Sequence, residues 1–241
     1  MSAISAYRSK SMANTDKKIR VWDAPVRVFH WLMVLSFAGA YLTAESERWR
    51  LIHVTLGYTL GGLVAFRMVW GLVGTRYARF AEFVRGPAAI RGYLQHILRL
   101  AGLVLMPHAE TVRQKMGAVH SAPPEHHVGH NPAGAVAIVL MLLASVVIVA
   151  TGWANYNDIQ GNWIEELHEG AATFMLAVVC VHVAGVALAS WLHHENLVRA
   201  MLDGKKDGAS HQGIARSWSV LAVIMLVAVM GFWWLQWRGA A

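Results

Sequence analysis

The sequence predicts an all-α integral membrane protein. Of its 241 residues, 56% are hydrophobic and only 15% are charged, a composition that departs from that of soluble proteins. Several windows supply the ~20 mostly apolar residues that a helix needs to cross the hydrocarbon core of a bilayer. Five windows are predicted to be membrane spans, at about 26–44, 51–73, 132–153, 167–192 and 218–237.

The first span follows a polar tail at 1–25 and has no signal-peptide cleavage pattern, so we expect it to be retained. The Lys and Arg residues then orient the bundle, because positively charged loops stay in the cytoplasm. Seventeen lie in the N-terminal region and in the loops after the second and fourth spans, against three on the other side, Arg48, Arg50 and Arg238. We expect a cytoplasmic N-terminus and a periplasmic C-terminus. The net charge of +7 reflects this topology and does not predict nucleic-acid binding.

Three segments outside the first four spans complete the predicted organisation. The loop at 74–131 contains apolar residues at helical spacing over 88–105, which predicts a helix lying in the membrane interface. Residues 193–215 predict a flexible cytoplasmic linker, and residues 216–241 predict a C-terminal transmembrane helix.

Histidine is costly inside a bilayer and marks function by default, so the thirteen histidines are sorted by depth. Solvated loop or helix-end positions account for nine of them: His96, His108, His120, His126, His127, His130, His193, His194 and His211. Among these, His126, His127 and His130 could bind a metal, although no carboxylate or thiolate pattern supports that site. The other four lie within predicted spans: His30, His53, His168 and His182.

The four intramembrane histidines sort into two pairs. His168 and His182 stand fourteen residues apart, which places them on one helix face about 21 Å apart along the axis. The first span enters from the cytoplasm, so His30 lies at the depth of His182. The second span starts outside, so His53 lies at the depth of His168. The predicted cross-helix pairs are His30 with His182 and His53 with His168.

Two facing neutral imidazoles inside a helical bundle are what six-coordinate haem iron requires. Such ligation leaves no open iron position and favours electron transfer. Alternatively, each histidine hydrogen-bonds to a neighbouring helix. The pairing of all four by depth and face favours haem. With only one cysteine, Cys180, the chain has no CxxCH motif, so the haem would be bound non-covalently, and Cys180 is expected to be a small buried core residue.

Arg67 is the only charge deep in the second span and stands fourteen residues after His53. A buried cation needs a partner, and a haem propionate is one candidate. The alternative is that Arg67 snorkels to the headgroups. Gly57 and Gly61 keep the His53 face low enough for a flat porphyrin, although small residues at this spacing also mediate plain helix packing.

The chain resembles the prokaryotic cytochrome b561 family and the related b-type cytochrome subunits of nickel-iron hydrogenases. The motifs that carry the resemblance are APVRVFHW in the first span, RLIHVTLGY and FRMVWGLVGTRYARF along the second, GHNPAG at the third, and LHEG, CVHVAG and HHENLVRAMLDGKK through the fourth.

The resemblance implies a four-helix diheme core at 26–192, with the fifth helix added after it. It implies two haem b groups, with His30, His53, His168 and His182 at the ligand positions. It also implies a bacterial cytoplasmic membrane location and electron exchange with quinone and with a periplasmic or membrane partner, such as a hydrogenase or a c-type cytochrome. The segment at 101–127 is longer than usual for the family, and the fifth helix lies outside the family core.

The leading hypothesis is a diheme cytochrome that moves electrons across the bilayer between quinone and a redox protein, for which the acidic segment 158–169 is a candidate docking surface. The resemblance also admits a stand-alone oxidoreductase, such as a superoxide:quinone oxidoreductase. A histidine-bearing metal transporter ranks far lower, because it would need carboxylates or polar breaks at mid-membrane. The sequence leaves the oligomeric state and the quinone site open. The side chains that could border a quinone are Arg48, Trp49 and Arg50 outside, or Arg67, Trp70 and Arg76 inside.

Overall fold

The computed structural model describes residues 17–83, 129, 132–159, 161–192 and 195–240. Its five long helices are each apolar enough to cross a membrane, and they confirm the prediction of a helical membrane protein. They are α1 (Ala24–Thr43), α2 (Arg50–Val73), α3 (Pro132–Tyr156), α4 (Asn162–Leu192) and α5 (Ser219–Ala240). The predicted interfacial helix at 88–105 lies outside the described residues, as do all the loop and helix-end histidines except His211.

Two helices begin earlier than hydropathy predicted, each for a local reason. The Asp23 side chain caps α1 by accepting a hydrogen bond from the Val26 amide at 2.8 Å, and Pro25 suits the first turn because it has no amide hydrogen to satisfy. Helix α4 starts at Asn162, five residues before the predicted span. Its first turn includes the polar Asn162 and Glu165, so the helix extends beyond the stretch that hydropathy marks.

The long helices pack in a chain, α1 on α2, α2 on α3 and α3 on α4. A buried cluster ties these four together. Its members are Phe37, Leu60, Ala144, Ile148 and Met175. Helix α5 packs on α1 and α2 from outside this set, with Met225 buried against Leu32 and Leu63. The Trp233 indole also donates to the Thr59 hydroxyl oxygen at 2.9 Å, which fixes the second half of α5 against α2.

The end of the bundle where α1 begins, the N-terminal face, is covered by folded polypeptide. Strand β1 (Lys17–Arg20) pairs antiparallel with β2 (Lys205–Gly208). A short helix at Leu197–Asp203 leads into β2 and ends at Gly204, whose φ of 78° favours glycine. We call residues 17–23 and 197–217 the N-terminal cap.

The N-terminal cap corrects two predictions. From Leu197 onward the segment 193–215 forms a short helix and a strand where a flexible linker was predicted, and the described residues contain one small sheet in addition to the helices. The Gly204 carbonyl oxygen accepts from the Val21 and Trp22 amides at 2.8 and 3.1 Å. Burial raises the pKa of the Tyr77 phenol, which therefore stays neutral and donates to the Gln212 carbonyl oxygen at 2.9 Å. These bonds tie the two chain segments to each other and to the bundle.

Candidate functional site

The structure brings His53 and His168 together at the end of the bundle opposite the N-terminal face, which we call the far face. Their ring centroids are 6.2 Å apart, and the ring planes are inclined by 66°. The rings come from α2 and α4, which are not neighbours in the sequence. This is the contact that the predicted pairing of His53 with His168 requires.

Hydrogen bonds to backbone carbonyls set the tautomer of both rings. His53 Nδ1 lies 2.8 Å from the Ala40 carbonyl oxygen, and His168 Nδ1 lies 3.1 Å from that of Ile148. A carbonyl oxygen can only accept, and the Thr151 hydroxyl, also 3.1 Å from His168 Nδ1, donates its hydrogen to the Val147 carbonyl oxygen at 2.7 Å, so each Nδ1 carries the hydrogen. Each Nε2 of the neutral ring then keeps its lone pair, which is the arrangement of a metal-ligating histidine.

Local sequence features make both carbonyl groups accessible. Ala40 lies in the last turn of α1, where carbonyl groups lack a backbone amide partner: the Ala44 amide bonds to Tyr41 instead, and within α1 only the Thr43 hydroxyl reaches the Ala40 oxygen, at 3.2 Å. On α3, a Cβ on Gly152 would stand 3.0 Å from Cε1 of His168. Glycine at this position therefore lets the His168 ring approach the α3 backbone.

The spacing of this pair suits a single metal ion between the rings. A metal–imidazole nitrogen bond is about 2 Å long and the ring centroid lies about 1 Å further on, so two histidines that share one metal ion have centroids at most about 6 Å apart. The observed 6.2 Å agrees with that value. No group of three or more His, Cys, Asp or Glu residues suited to a metal ion is found within the described ranges. Two histidines without further protein ligands would suit haem, which brings its own nitrogen ligands to the iron.

His30 and His182 lie near each other toward the N-terminal face, close enough to interact electrostatically. The His30 ring packs edge-on against Trp31, with centroids 5.1 Å apart and an interplanar angle of 89°. Its Nδ1 is buried and has no hydrogen-bond partner within the described part of the chain. A buried polar atom of this kind calls for a partner. The second predicted pair is thus brought into proximity without ring contact.

Arg67 is 3% exposed, so it does not snorkel to the headgroups as one sequence interpretation allowed. Its guanidinium lies 4.8 Å from the centroid of the Phe80 ring and interacts electrostatically with Asp23. Asp23 is fully buried and also accepts from Trp70 Nε1 at 3.1 Å and from the Thr75 hydroxyl at 2.6 Å. Asp23 is not among the predicted site residues, although a carboxylate just before Ala-Pro at the start of an apolar span is a helix-capping signal.

Three smaller predictions have different outcomes. A Cβ on Gly61 would lie 2.9 Å from Val149, so Gly61 allows the close packing of α2 on α3. A Cβ on Gly57 would meet no atom within 4 Å, which leaves open space one turn from His53. Cys180 is exposed on α4, so the prediction that it is buried in the core is wrong.

Most of the chain is similar in sequence to known proteins. A family model described as prokaryotic cytochrome b561 matches residues 21–204. The chain is 24% identical over 226 residues to the probable Ni/Fe-hydrogenase B-type cytochrome subunit of Cupriavidus necator, covering 78% of this chain and 86% of that one. It is 28% identical over 158 residues to the probable Ni/Fe-hydrogenase 1 B-type cytochrome subunit of Escherichia coli K12, covering 57% and 60%. No solved structure shows a significant match.

Proposed function

The chain belongs to the prokaryotic cytochrome b561 family, and we propose that it carries two haem b groups and transfers electrons across the bacterial cytoplasmic membrane. Its partners are quinone in the membrane and a hydrogenase-like protein or a c-type cytochrome. Membership itself makes the chain a membrane-embedded b-type cytochrome. The number of haems, their ligands and the partners go beyond family membership and are proposed here.

The observation that carries the proposal is the contact between His53 and His168. Both rings hold the hydrogen on Nδ1 through a backbone carbonyl, and with their centroids 6.2 Å apart both would be close enough to hold one haem. Bound haem supplies an iron that gains and loses one electron. His53 and His168 would both hold the haem, and two histidine ligands favour electron transfer over chemistry at an open position. Because both rings are neutral ligands, neither needs to exchange a proton.

The second haem is assigned to His30 and His182, toward the N-terminal face. Arg67 is the proposed contact for a propionate of this haem. Asp23 and the Phe80 ring hold the guanidinium within the bundle, so it need not reorganise when the haem binds.

The distribution of charged residues supports an orientation of the bundle in the membrane. The N-terminal cap contains Lys17, Lys18, Arg20, Lys205 and Lys206, which favours the cytoplasmic side for the N-terminal face. The far face carries acidic residues around a cavity of about 320 Å³, including Asp158 and Glu165, and Glu166 and Glu169 lie nearby in α4. We propose this acidic surface for docking a redox protein on the periplasmic side. The relatives named as hydrogenase cytochrome subunits fit such a partner.

Haem content tests the proposal directly. The purified full-length chain is expected to hold about two haem b per polypeptide, measured by the pyridine haemochrome assay against protein concentration. Both irons should be low-spin, and carbon monoxide should leave the reduced spectrum unchanged because neither iron has an open position. A folded but colourless protein, or a single haem per chain, would contradict the diheme assignment.

Orientation has its own test. A fluorescent protein fused before Met1 should fluoresce in intact cells, and alkaline phosphatase fused after Ala241 should be active, because the phosphatase folds only in the periplasm. Fusing each reporter at the other terminus is the matched control and should give low signals. The reverse pattern would invert the proposed topology while leaving the haem sites in place.

A further inference from the structure

A groove on the far face is not used by the haem sites. It lies between α2, α3 and α5 and has a volume of about 740 Å³, within the usual range for small-molecule sites. The residues that line it are Arg50, Leu51, Val54, Tyr58, Tyr156 and Gln236. Helix α5 thus completes the groove, although it lies beyond the residues that match the family, 21–204.

The groove lies beside the His53–His168 pair and does not coincide with it. Val54 directly follows His53, so it projects about 100° around α2 from the histidine, and Tyr58 projects about 140° from it. The ligand would therefore sit on the outer side of α2, next to the proposed haem. The position of α5 beside the groove is fixed by a hydrogen bond. The Trp233 indole donates to the Thr59 hydroxyl oxygen and holds α5 against α2 one turn before Gln236.

The chemistry of the lining suits a flat amphiphilic ring. Leu51 and Val54 supply apolar walls, and the rings of Tyr58 and Tyr156 meet edge to face with centroids 6.2 Å apart. Among the described residues, neither tyrosine hydroxyl nor the side-chain amide of Gln236 forms a hydrogen bond. These three groups can donate to carbonyl oxygens. The groove offers one cation, Arg50, whereas a phospholipid phosphate usually attracts a cluster of Lys and Arg.

We propose that this groove binds the ring of a membrane quinone. The ring carbonyl oxygens accept hydrogen bonds from Gln236 and Tyr156, and the apolar tail leaves along the exposed surfaces of the helices into the bilayer. This inference rests on the proposed function, which names quinone as a partner. It adds the site, and it gives α5 a role in forming that site.

Quinone affinity of the haem-loaded, full-length protein tests the groove. Decylubiquinone is titrated calorimetrically into protein held in phosphatidylcholine nanodiscs. Gln236→Leu and Tyr156→Phe each remove one donor and should weaken binding about fivefold to tenfold, with haem content unchanged. Tyr41→Phe and Trp237→Leu are matched controls at exposed positions outside the groove and should bind quinone as the unmodified protein does.

Photocross-linking supplies a second readout. An azidoquinone should label peptides that contain Tyr58, Tyr156 or Gln236, and excess decylubiquinone should suppress the labelling. Unchanged affinity in both groove variants, or labelling confined to other peptides, would overturn the groove while two haems per chain leave the electron-transfer proposal standing. Labelling of the groove by a photoreactive phospholipid that quinone does not displace would also overturn it. Absence of quinone binding would overturn both the groove and the quinone half of the proposed function.

Discussion

Replacing His168 by alanine is expected to remove one haem and leave the other, so that the haem content falls from about two per chain to about one. His53→Ala should remove the same haem, because the two rings, with centroids 6.2 Å apart, would hold one haem between α2 and α4. Each loss is measured by the pyridine haemochrome assay and by the low-spin electron paramagnetic resonance signal that disappears. Helical content from circular dichroism should be retained, since α2 and α4 are also held by apolar packing.

Double variants decide the pairing more sharply than single ones. The variant lacking both His53 and His168 should keep one haem, whereas the variant lacking His53 and His182 should keep none. His211→Ala is the matched control, because His211 lies in the N-terminal cap outside the long helices, and it should keep both haems. A haem-free His53/His168 variant, or a His53/His182 variant that retains one haem, would contradict the proposed ligand pairs.

The grouping of the histidines by depth could be predicted from the sequence because depth in a membrane follows from chain direction. Once the order of the spans was predicted, the fourteen residues between His168 and His182 placed one histidine near each surface. The contact of His53 with His168 agrees with this geometry. The carbonyl partners at Ala40 and Ile148 could not be anticipated, because they depend on how far each helix slides along its neighbour.

The N-terminal cap shows where sequence patterns gave no usable signal. Strand β1 is four residues long, and its partner β2 lies about 190 residues further along the chain, within a segment whose glycines and charges resemble a linker. Pairing between such distant short segments is set by the bundle that brings them together. The start of α4 was missed for a different reason. Hydropathy marks the boundary of the membrane, and the polar turn at Asn162 continues the helix past it.

Replacing Asp23 by alanine is expected to cause the largest loss of stability of any single change in the N-terminal cap. The fully buried carboxylate caps α1 and accepts from Trp70 and Thr75, while its charge faces Arg67. Its removal leaves buried donors without this acceptor and a buried cation without this anion. Breaking a buried charge pair in this way costs about 3–5 kcal/mol. The measurement is unfolding of the haem-loaded protein in detergent, followed by circular dichroism and by loss of the Soret band.

Two comparison variants separate the charge of Asp23 from its shape. Asp23→Asn keeps an oxygen that can cap α1 and accept from Trp70 or Thr75 but removes the negative charge, so its loss of stability should be smaller than that of Asp23→Ala and should reflect Arg67. Asp207→Ala removes an exposed ion pair with Lys18 and should cost less than about 1 kcal/mol. An alanine variant as stable as the unmodified protein would show that the carboxylate does not hold α1 to α2. If Asp23 does hold Arg67 in place for a propionate, then Asp23→Asn should also raise the reduction potential of the haem proposed at His30 and His182, because the variant removes a nearby negative charge and leaves the guanidinium to neutralise the propionate. The haem at His53 and His168 lies at the other end of the bundle and serves as the internal reference for that shift.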